Sequence, residues 1–463
     1  MRRWIALMCA SIALVVGAVA GLGQVVARQN WQVEAGASTV APDVFGTPST
    51  PTPATEPSPM PDPDAVCLTA ALNAVPPVGD GAMTGQVIGL ASGAVLWDRD
   101  AGRPMTPASN EKLLTTLALV DALGQDALAT TYKTSVVAGA GDRVILVGGG
   151  DPYLASSSAL AVFGQPATLD DLAAATAAAL TAQGRATVTV GFDDTAFTGP
   201  DWHATWGPDD VTDVTRISSL MVDEGMTPGP GEAKGSIYRR SATPARDAAA
   251  TFAAELRAHG IGVTDVAQTG EAAPAGAPSL ASIDSLPLSD IIDLTLLMSN
   301  NTAAEVLMRH LAIAEGHPGS FTDGAQAITD FVAKSNLAAP GLQIVDGSGL
   351  SVANAVPAAT LAGVVAAAAK SDGPAREVIA RLPVAAANGT LLDRFQKPEA
   401  ATGRGWVHAK TGSLTGVASL TGYTVTTSGQ WLAFALVING STRAGLARDW
   451  LDRTAATLTT AQC

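Results

Sequence analysis

Positive charge is scarce in this sequence. Its 463 residues carry 27 Lys and Arg against 42 Asp and Glu, a formal net charge of −15 at pH 7. Binding to a nucleic-acid backbone needs clustered cations, so the balance excludes that class of partner. Histidine is also sparse. None of His203, His259, His310, His317 and His408 stands in an H-E-x-x-H or paired spacing, which argues against a zinc peptidase, and no metal is expected. The run Gly148-Gly149-Gly150 lacks the Gly-Lys-Ser/Thr ending of a phosphate loop. No cofactor is expected. Repeats of fixed period are absent, as are long apolar runs beyond the first 30 residues. What is present is a hydrophobic content of 47% with 15% charged residues, which excludes a largely disordered chain. The length allows roughly two to four domains.

The N-terminus reads as an export signal. Arg2 and Arg3 precede an apolar run over residues 4–26, and Ala18-Val19-Ala20 is a candidate cleavage triplet. The run is also nearly long enough to span a bilayer, so residues 1–27 are a signal peptide or an uncleaved signal-anchor. Cys9 lies too deep in this run for a lipoprotein signal. Residues 28–66 follow as a Pro/Thr/Ser-rich linker, including TPSTPTPATEPSPMPDPD, whose proline density stiffens the chain and prevents a packed fold. Cys67 and Cys463 bracket the remainder. Two such cysteines in an exported chain are expected to pair.

Within that remainder, GQVIGLA and AVLWDRD form a strand pair joined by a Ser-Gly turn. A helix follows from Pro107, with Leu113, Leu114, Leu117, Val120 and Leu123 at helical spacing. Residues 134–275 mix short strands (TSVVAG, RVILVGG, TVTVGF) with Ala-rich helices and have the character of an inserted module. Helices return until residue 393. The chain closes with strand candidates WVHAKTGS, ASLTGYTV and WLAFALVIN and a last helix near residues 443–459. The pattern predicts an α+β core whose sheet draws on both ends, residues 67–133 and 276–463, with 134–275 inserted between.

Three short motifs carry the chemistry. Ser109-Asn110-Glu111-Lys112 is an S-x-x-K at the start of a helix. That spacing puts the hydroxyl and the amine on one face, so the amine can take the serine proton. Thr106 is placed to cap the helix and Pro107 to occupy its first position. Ser109 then falls in the first turn, where its N–H lacks an intrahelical partner and can face a developing oxyanion. Ser299-Asn300-Asn301 is an S-x-N in a turn between two apolar helical stretches. Lys410-Thr411-Gly412 lies on a late strand, with glycine where a substrate backbone could approach. Each pattern occurs once. Glu305, one turn beyond Asn301, is expected in a structural ion pair, and DGSGLS (346–351) reads as a turn.

The S-x-x-K, S-x-N and K-T-G set resembles that of penicillin-binding proteins and serine β-lactamases. PASNEKLLTT, SNNTAAEVLMR, DGSGLS, NGTLLDRF (388–395), GGGDPYL and FDDTAF narrow the resemblance. They are similar to the D-alanyl-D-alanine carboxypeptidase/endopeptidase group of low-molecular-mass penicillin-binding proteins, class C, peptidase family S13. It covers residues 67–463. It implies a β-lactamase/transpeptidase-like fold, an antiparallel sheet flanked by helices, with a large mixed α/β module inserted between the first two motifs. Two positions depart from the family pattern: Ser413 stands where threonine is commoner, and Val352 follows DGSGLS where arginine is usual.

The resemblance implies a serine D,D-peptidase acting on peptidoglycan stem peptides and acylated by β-lactam antibiotics. Ser109 would be the nucleophile and Lys112 its base, with a pKa lowered by burial or neighbouring cations. Ser299 would relay a proton to the leaving amine and Asn301 would orient the acyl side chain. Lys410, Thr411 and Ser413 would bind the terminal carboxylate beside Gly412. The N–H groups of Ser109 and Ser413 would form the oxyanion hole. A serine β-lactamase, and a non-catalytic peptidoglycan-binding or penicillin-sensing protein, are the alternatives.

Overall fold

In the computed structural model, residues 60–157, 166–228, 238–460 and 463 are described. The expected export segment and the linker up to residue 59 lie outside them. Among the described residues no helix is long and apolar enough to cross a membrane.

The chain begins with α1 (Ala65–Asn73), whose N-cap Asp64 accepts a hydrogen bond from Cys67 N, 2.8 Å. Strands β1 (Ala82–Gly89) and β2 (Val95–Arg99) form the expected hairpin, followed by the short β3 (Pro104–Met105). The helix expected from Pro107 opens with one 3₁₀ turn, Ala108–Asn110, and continues as α2 (Glu111–Leu123). The inserted region supplies β4 (Lys133–Ala138), β5 (Arg143–Val147), α3 (Leu169–Ala182), β6 (Thr187–Asp193), the ribbon β7 (Met226–Pro228) and β8 (Tyr238–Arg240), α4 (Pro244–Ala258) and β9 (Gly262–Val266), and β10 (Ser279–Asp284) follows it. Helices α5 (Leu288–Leu297), α6 (Asn301–Ala314) and α7 (Phe321–Lys334) come next, then β11 (Val356–Pro357), α8 (Ala358–Ala369) and α9 (Pro374–Ala380). The last elements are β12 (Val407–Leu414), β13 (Val417–Val425), β14 (Trp431–Asn439) and α10 (Ala444–Thr460).

The main sheet is antiparallel, in the order β12-β13-β14-β1-β2. Its two ends of sequence meet where β1 pairs with β14, from Ala82 opposite Asn439 to Gly89 opposite Leu432. The run WLAFALVIN makes β14 a central strand covered on both faces, which is why it reads as continuously apolar. Ala433, Ala435 and Val437 face one core with α2, α5, α6, α7 and α8, while Leu432, Phe434, Leu436 and Ile438 face a second core with α1 and α10. Cys67 and Cys463 are disulfide-bonded, tying α1 to the end of the chain.

A second sheet has the order β10-β4-β5-β6-β9, with β5–β6 and β6–β9 parallel and the rest antiparallel. Leu172, Ala173 and Leu180 of α3 and Phe252 of α4 bury against it in a third core. The architecture is α+β, a helix-flanked antiparallel sheet of the β-lactamase and penicillin-binding-protein kind with an inserted module. The inserted sheet takes one strand, β10, from beyond residue 275.

Candidate active site

The site forms where the start of α2, the α5–α6 turn and β12 converge. Ser109 sits half-buried in the 3₁₀ turn, behind Ala108, whose φ of +49° is in the left-handed region. Thr106 does not cap this helix. Its backbone N–H is held by Asn439 Oδ1 at 2.8 Å and its hydroxyl donates to Val352 O, while α2 has no side-chain cap. The turn is held from outside instead: Ser419 Oγ donates to Pro107 O at 2.6 Å, and Asn110 Nδ2 donates to Thr421 Oγ1 at 2.9 Å, both partners being on β13. This also explains Gly412. A Cβ there would lie 2.1 Å from Ser419 Oγ and 2.7 Å from Pro107 O, so the turn that carries Ser109 packs directly on this glycine.

Lys112 is fully buried. Its Nζ lies 3.0 Å from Ser109 Oγ, 2.7 Å from Asn301 Oδ1 and 2.7 Å from Ser348 O. A neutral amine has two N–H groups and one lone pair. Asn301 Oδ1 and the Ser348 carbonyl can only accept, so they take the two N–H groups and leave the lone pair for the Ser109 hydroxyl. Burial lowers the Lys112 pKa to about 7, against the opposing field of Glu305, Asp346 and Glu111. Burial is thus the cause that lowers it, and the neighbouring carboxyl groups oppose it.

Ser299 has φ +56°, and this left-handed residue turns the chain from α5 into α6. Its Oγ accepts from Lys410 Nζ at 2.8 Å. Asn300, rather than Ser299 or Asn301, caps α6 by accepting from Ala303 N at 3.0 Å. That leaves both motif residues facing the lysines. The Asn301 amide is committed at both ends, to Lys112 and, through Nδ2, to Asp213 O at 3.2 Å. Asn300 Nδ2 donates to Glu224 Oε2 at 2.7 Å, so the inserted module braces this turn.

Lys410 is also fully buried, and its second contact is Thr411 O at 2.9 Å. Burial, and then repulsion from Lys112, hold it well below the usual lysine range. Thr411 Oγ1 donates to Thr390 Oγ1 at 2.7 Å, so Thr390 of the NGTLLDRF stretch belongs to the site. Strand β12 is an edge strand. Val407 O accepts from Ala385 N, and Ala409 N donates to Pro383 O, so these residues direct their backbone away from β13. The alternation of an antiparallel strand, unbroken to Leu414, puts the Ser413 N–H in the same outward phase.

The residues that sequence reasoning missed lie beneath Lys112. Glu305 makes no ion pair among the described residues. Its buried carboxylate accepts from Gly347 N (3.1 Å) and Ser348 N (2.8 Å), and burial together with Asp346 pushes its pKa up to about 8. Asp346 accepts from Trp206 Nε1, Gly349 N, Ser351 N and Asn354 Nδ2 at 2.6–2.9 Å. These bonds shape the DGSGLS loop so that the Ser348 carbonyl meets Lys112. Gly349 is required: its φ is +77°, and a Cβ would stand 1.9 Å from Ala108 O, directly under the turn that carries Ser109. Glu111 is buried with no hydrogen-bond partner among the described residues at either carboxylate oxygen, and burial raises its pKa well above the ordinary carboxyl value.

A serine hydroxyl facing a near-neutral lysine, beside a second lysine on the edge strand of a helix-flanked antiparallel sheet, defines an active-site serine enzyme of the β-lactamase and penicillin-binding-protein class. Residues 68–235 and 230–460 match the model of the D-Ala-D-Ala carboxypeptidase 3 (S13) family. The chain is 34% identical over 473 residues to Carboxypeptidase DacB of Mycolicibacterium smegmatis, covering 100% of this chain and 99% of the relative. A carboxypeptidase of Mycobacterium tuberculosis is 35% identical over 393 residues, covering 81% and 80%. Among solved structures, penicillin binding protein 4 of Haemophilus influenzae shares the fold, with a TM-score of 0.67 at 21% identity over 86% of this chain and 99% of that one. The chain belongs to the S13 family and is a serine-type D,D-carboxypeptidase.

Proposed function

We propose that the enzyme cleaves the terminal D-Ala-D-Ala bond of peptidoglycan stem peptides through an acyl-Ser109 intermediate, and opens D-Ala-containing cross-links as a second reaction. The observation that carries this reading is the three-way environment of Lys112 Nζ, which reserves its lone pair for Ser109. Ser109 Oγ attacks the scissile carbonyl as its proton passes to Lys112. The C–N bond then breaks, and Ser299 relays that proton to the departing amine. Lys410 receives the substrate's terminal carboxylate, with Thr411 and Ser413 supplying hydroxyls. The carboxylate supplies the counter-charge that burial denies Lys410. The N–H groups of Ser109 and Ser413 bind the oxyanion, where loss of one donor costs about 3 kcal/mol of transition-state stabilisation. Asn301 holds Lys112 and borders the acyl side chain. Water, activated by the same lysine, releases the acyl group.

A β-lactam enters the same cycle, because its strained amide and carboxylate imitate the dipeptide, and it leaves a slowly hydrolysed ester. The N-terminal segment is assigned to export, with the catalytic domain working outside the cytoplasm as a secreted or segment-anchored protein. Fluorescent penicillin with mass mapping tests the reading. A stable adduct on Ser109, abolished by Ser109→Ala, is expected. Rapid turnover of a chromogenic cephalosporin would point to a β-lactamase instead. A folded protein giving neither adduct nor turnover would point to a binding protein.

A further inference from the structure

Ser419 belongs to none of the three motifs. It lies on β13, which pairs with β12 on one side and with β14 on the other, and it is fully buried. Its backbone stands opposite Gly412, the residue before Ser413. Its Oγ donates to the carbonyl of Pro107, just ahead of Ser109, at 2.6 Å. One residue thus touches both segments whose N–H groups the catalytic reading assigns to the oxyanion.

The local conformation depends on that hold. Between Pro107 and Ser109 stands Ala108, whose φ of +49° is in the left-handed region. A non-glycine residue stays there only where its surroundings enforce it. The turn's own bond to the Pro107 carbonyl, from Asn110 N, is long at 3.4 Å, and the Ser419 hydroxyl supplies the short one. A carbonyl can only accept, so the Ser419 proton is committed to it. Gly412 makes room for this bond, since a Cβ there would lie 2.1 Å from Ser419 Oγ. Thr421 repeats the arrangement further along the strand. It stands opposite Lys410, and its Oγ1 accepts from Asn110 Nδ2 at 2.9 Å. Strand β13 therefore grips the turn on both sides of Ser109. Lys112 Nζ is held by other residues, Asn301 and Ser348.

We propose that Ser419 is a positioning residue: its hydroxyl fixes the turn that carries Ser109 against β12, and so sets the spacing between the Ser109 and Ser413 N–H groups that receive the oxyanion. Thr421 supports the turn from its other end. Misplacing reacting groups by about 1 Å costs about 10²-fold in rate, so a buried hydroxyl behind the site governs the rate without touching the substrate. The inference rests on the proposed catalytic reading.

Stopped-flow labelling of Ser419→Ala with fluorescent penicillin tests it. The amplitude of labelling counts folded sites, and the rate reports the oxyanion hole. Full amplitude with a rate lowered by about tenfold or more is expected. A boronic acid analogue of the acyl group, whose tetrahedral adduct on Ser109 places an oxygen between the two N–H groups, should bind more weakly by the same factor. The pH midpoint of the rate should match the wild type, because the contacts of Lys112 are unchanged. Thr421→Val is expected to slow labelling in the same way, and it supplies the comparison if Ser419→Ala lowers the amplitude. A variant rate within about twofold of a labelled wild type would overturn this inference alone. So would a slower rate with undiminished boronic acid affinity or a shifted midpoint. Absence of labelling in the wild type would overturn the catalytic reading as well.

Discussion

Lys112 at the head of α2 and Lys410 on β12 are the same residue in two adjoining regions, both fully buried. Burial pushes both amines toward neutrality. Around Lys112, however, the chain assembles Glu111, Glu305 and Asp346, and their field returns its pKa to about 7. Among the described residues Lys410 has no such company: the charge acting on it is Lys112, which lowers it further. The hydrogen bonds differ in the same sense. Lys112 meets three oxygens, two of which can only accept, whereas Lys410 meets one hydroxyl and one carbonyl. Burial makes a lysine labile, and the carboxylates around it decide its use. One set near working pH suits proton transfer, while one lacking a counter-charge among the described residues suits a substrate carboxylate.

The comparison breaks most visibly at its centre. Lys112→Ala is expected to lower the rate of penicillin acylation by about 10⁴-fold, and Lys112→Arg should not restore it, because a guanidinium does not deprotonate. Stopped-flow labelling measures both. Lys410→Ala is expected to cost about 10²-fold in kcat/KM on a D-Ala-D-Ala peptide, the loss of one buried charge-assisted contact. Amidating the peptide's C-terminus in the wild-type enzyme should cost a similar factor. The two changes combined should cost little more than either alone, which a kinetic cycle resolves. The smallest effect concerns the Lys112 side only. Trp206→Phe removes one of the donors on Asp346 and should lower stability by about 1 kcal/mol in urea denaturation, leaving the Lys410 side unaffected.

Much of this was legible in the residues themselves. S-x-x-K, S-x-N and K-T-G are local patterns, and helical or extended spacing brings their side chains to one face. The buried strands announce themselves in runs such as WLAFALVIN. What escaped is non-local or made of backbone. The Ser348 carbonyl that holds Lys112 has no side-chain signature, and DGSGLS therefore reads only as a turn. Glu305 looks like an ion-pair partner because nothing near it in sequence shows that the amides of Gly347 and Ser348 will close on it. Thr106 has the composition and position of a cap, but the side chain of Asn439, more than 300 residues away, claims its backbone. Strand β10 buries none of its residues fully and has no apolar run, which hides its membership in the inserted sheet.

The most direct test of the central claim, that Lys112 acts as a neutral base on Ser109, is the second-order rate of penicillin acylation from pH 5 to pH 8. The base form is the deprotonated amine, so the rate should rise with pH through a midpoint near 7 and fall about tenfold per unit below it. A rate that stays flat across this range would contradict the account.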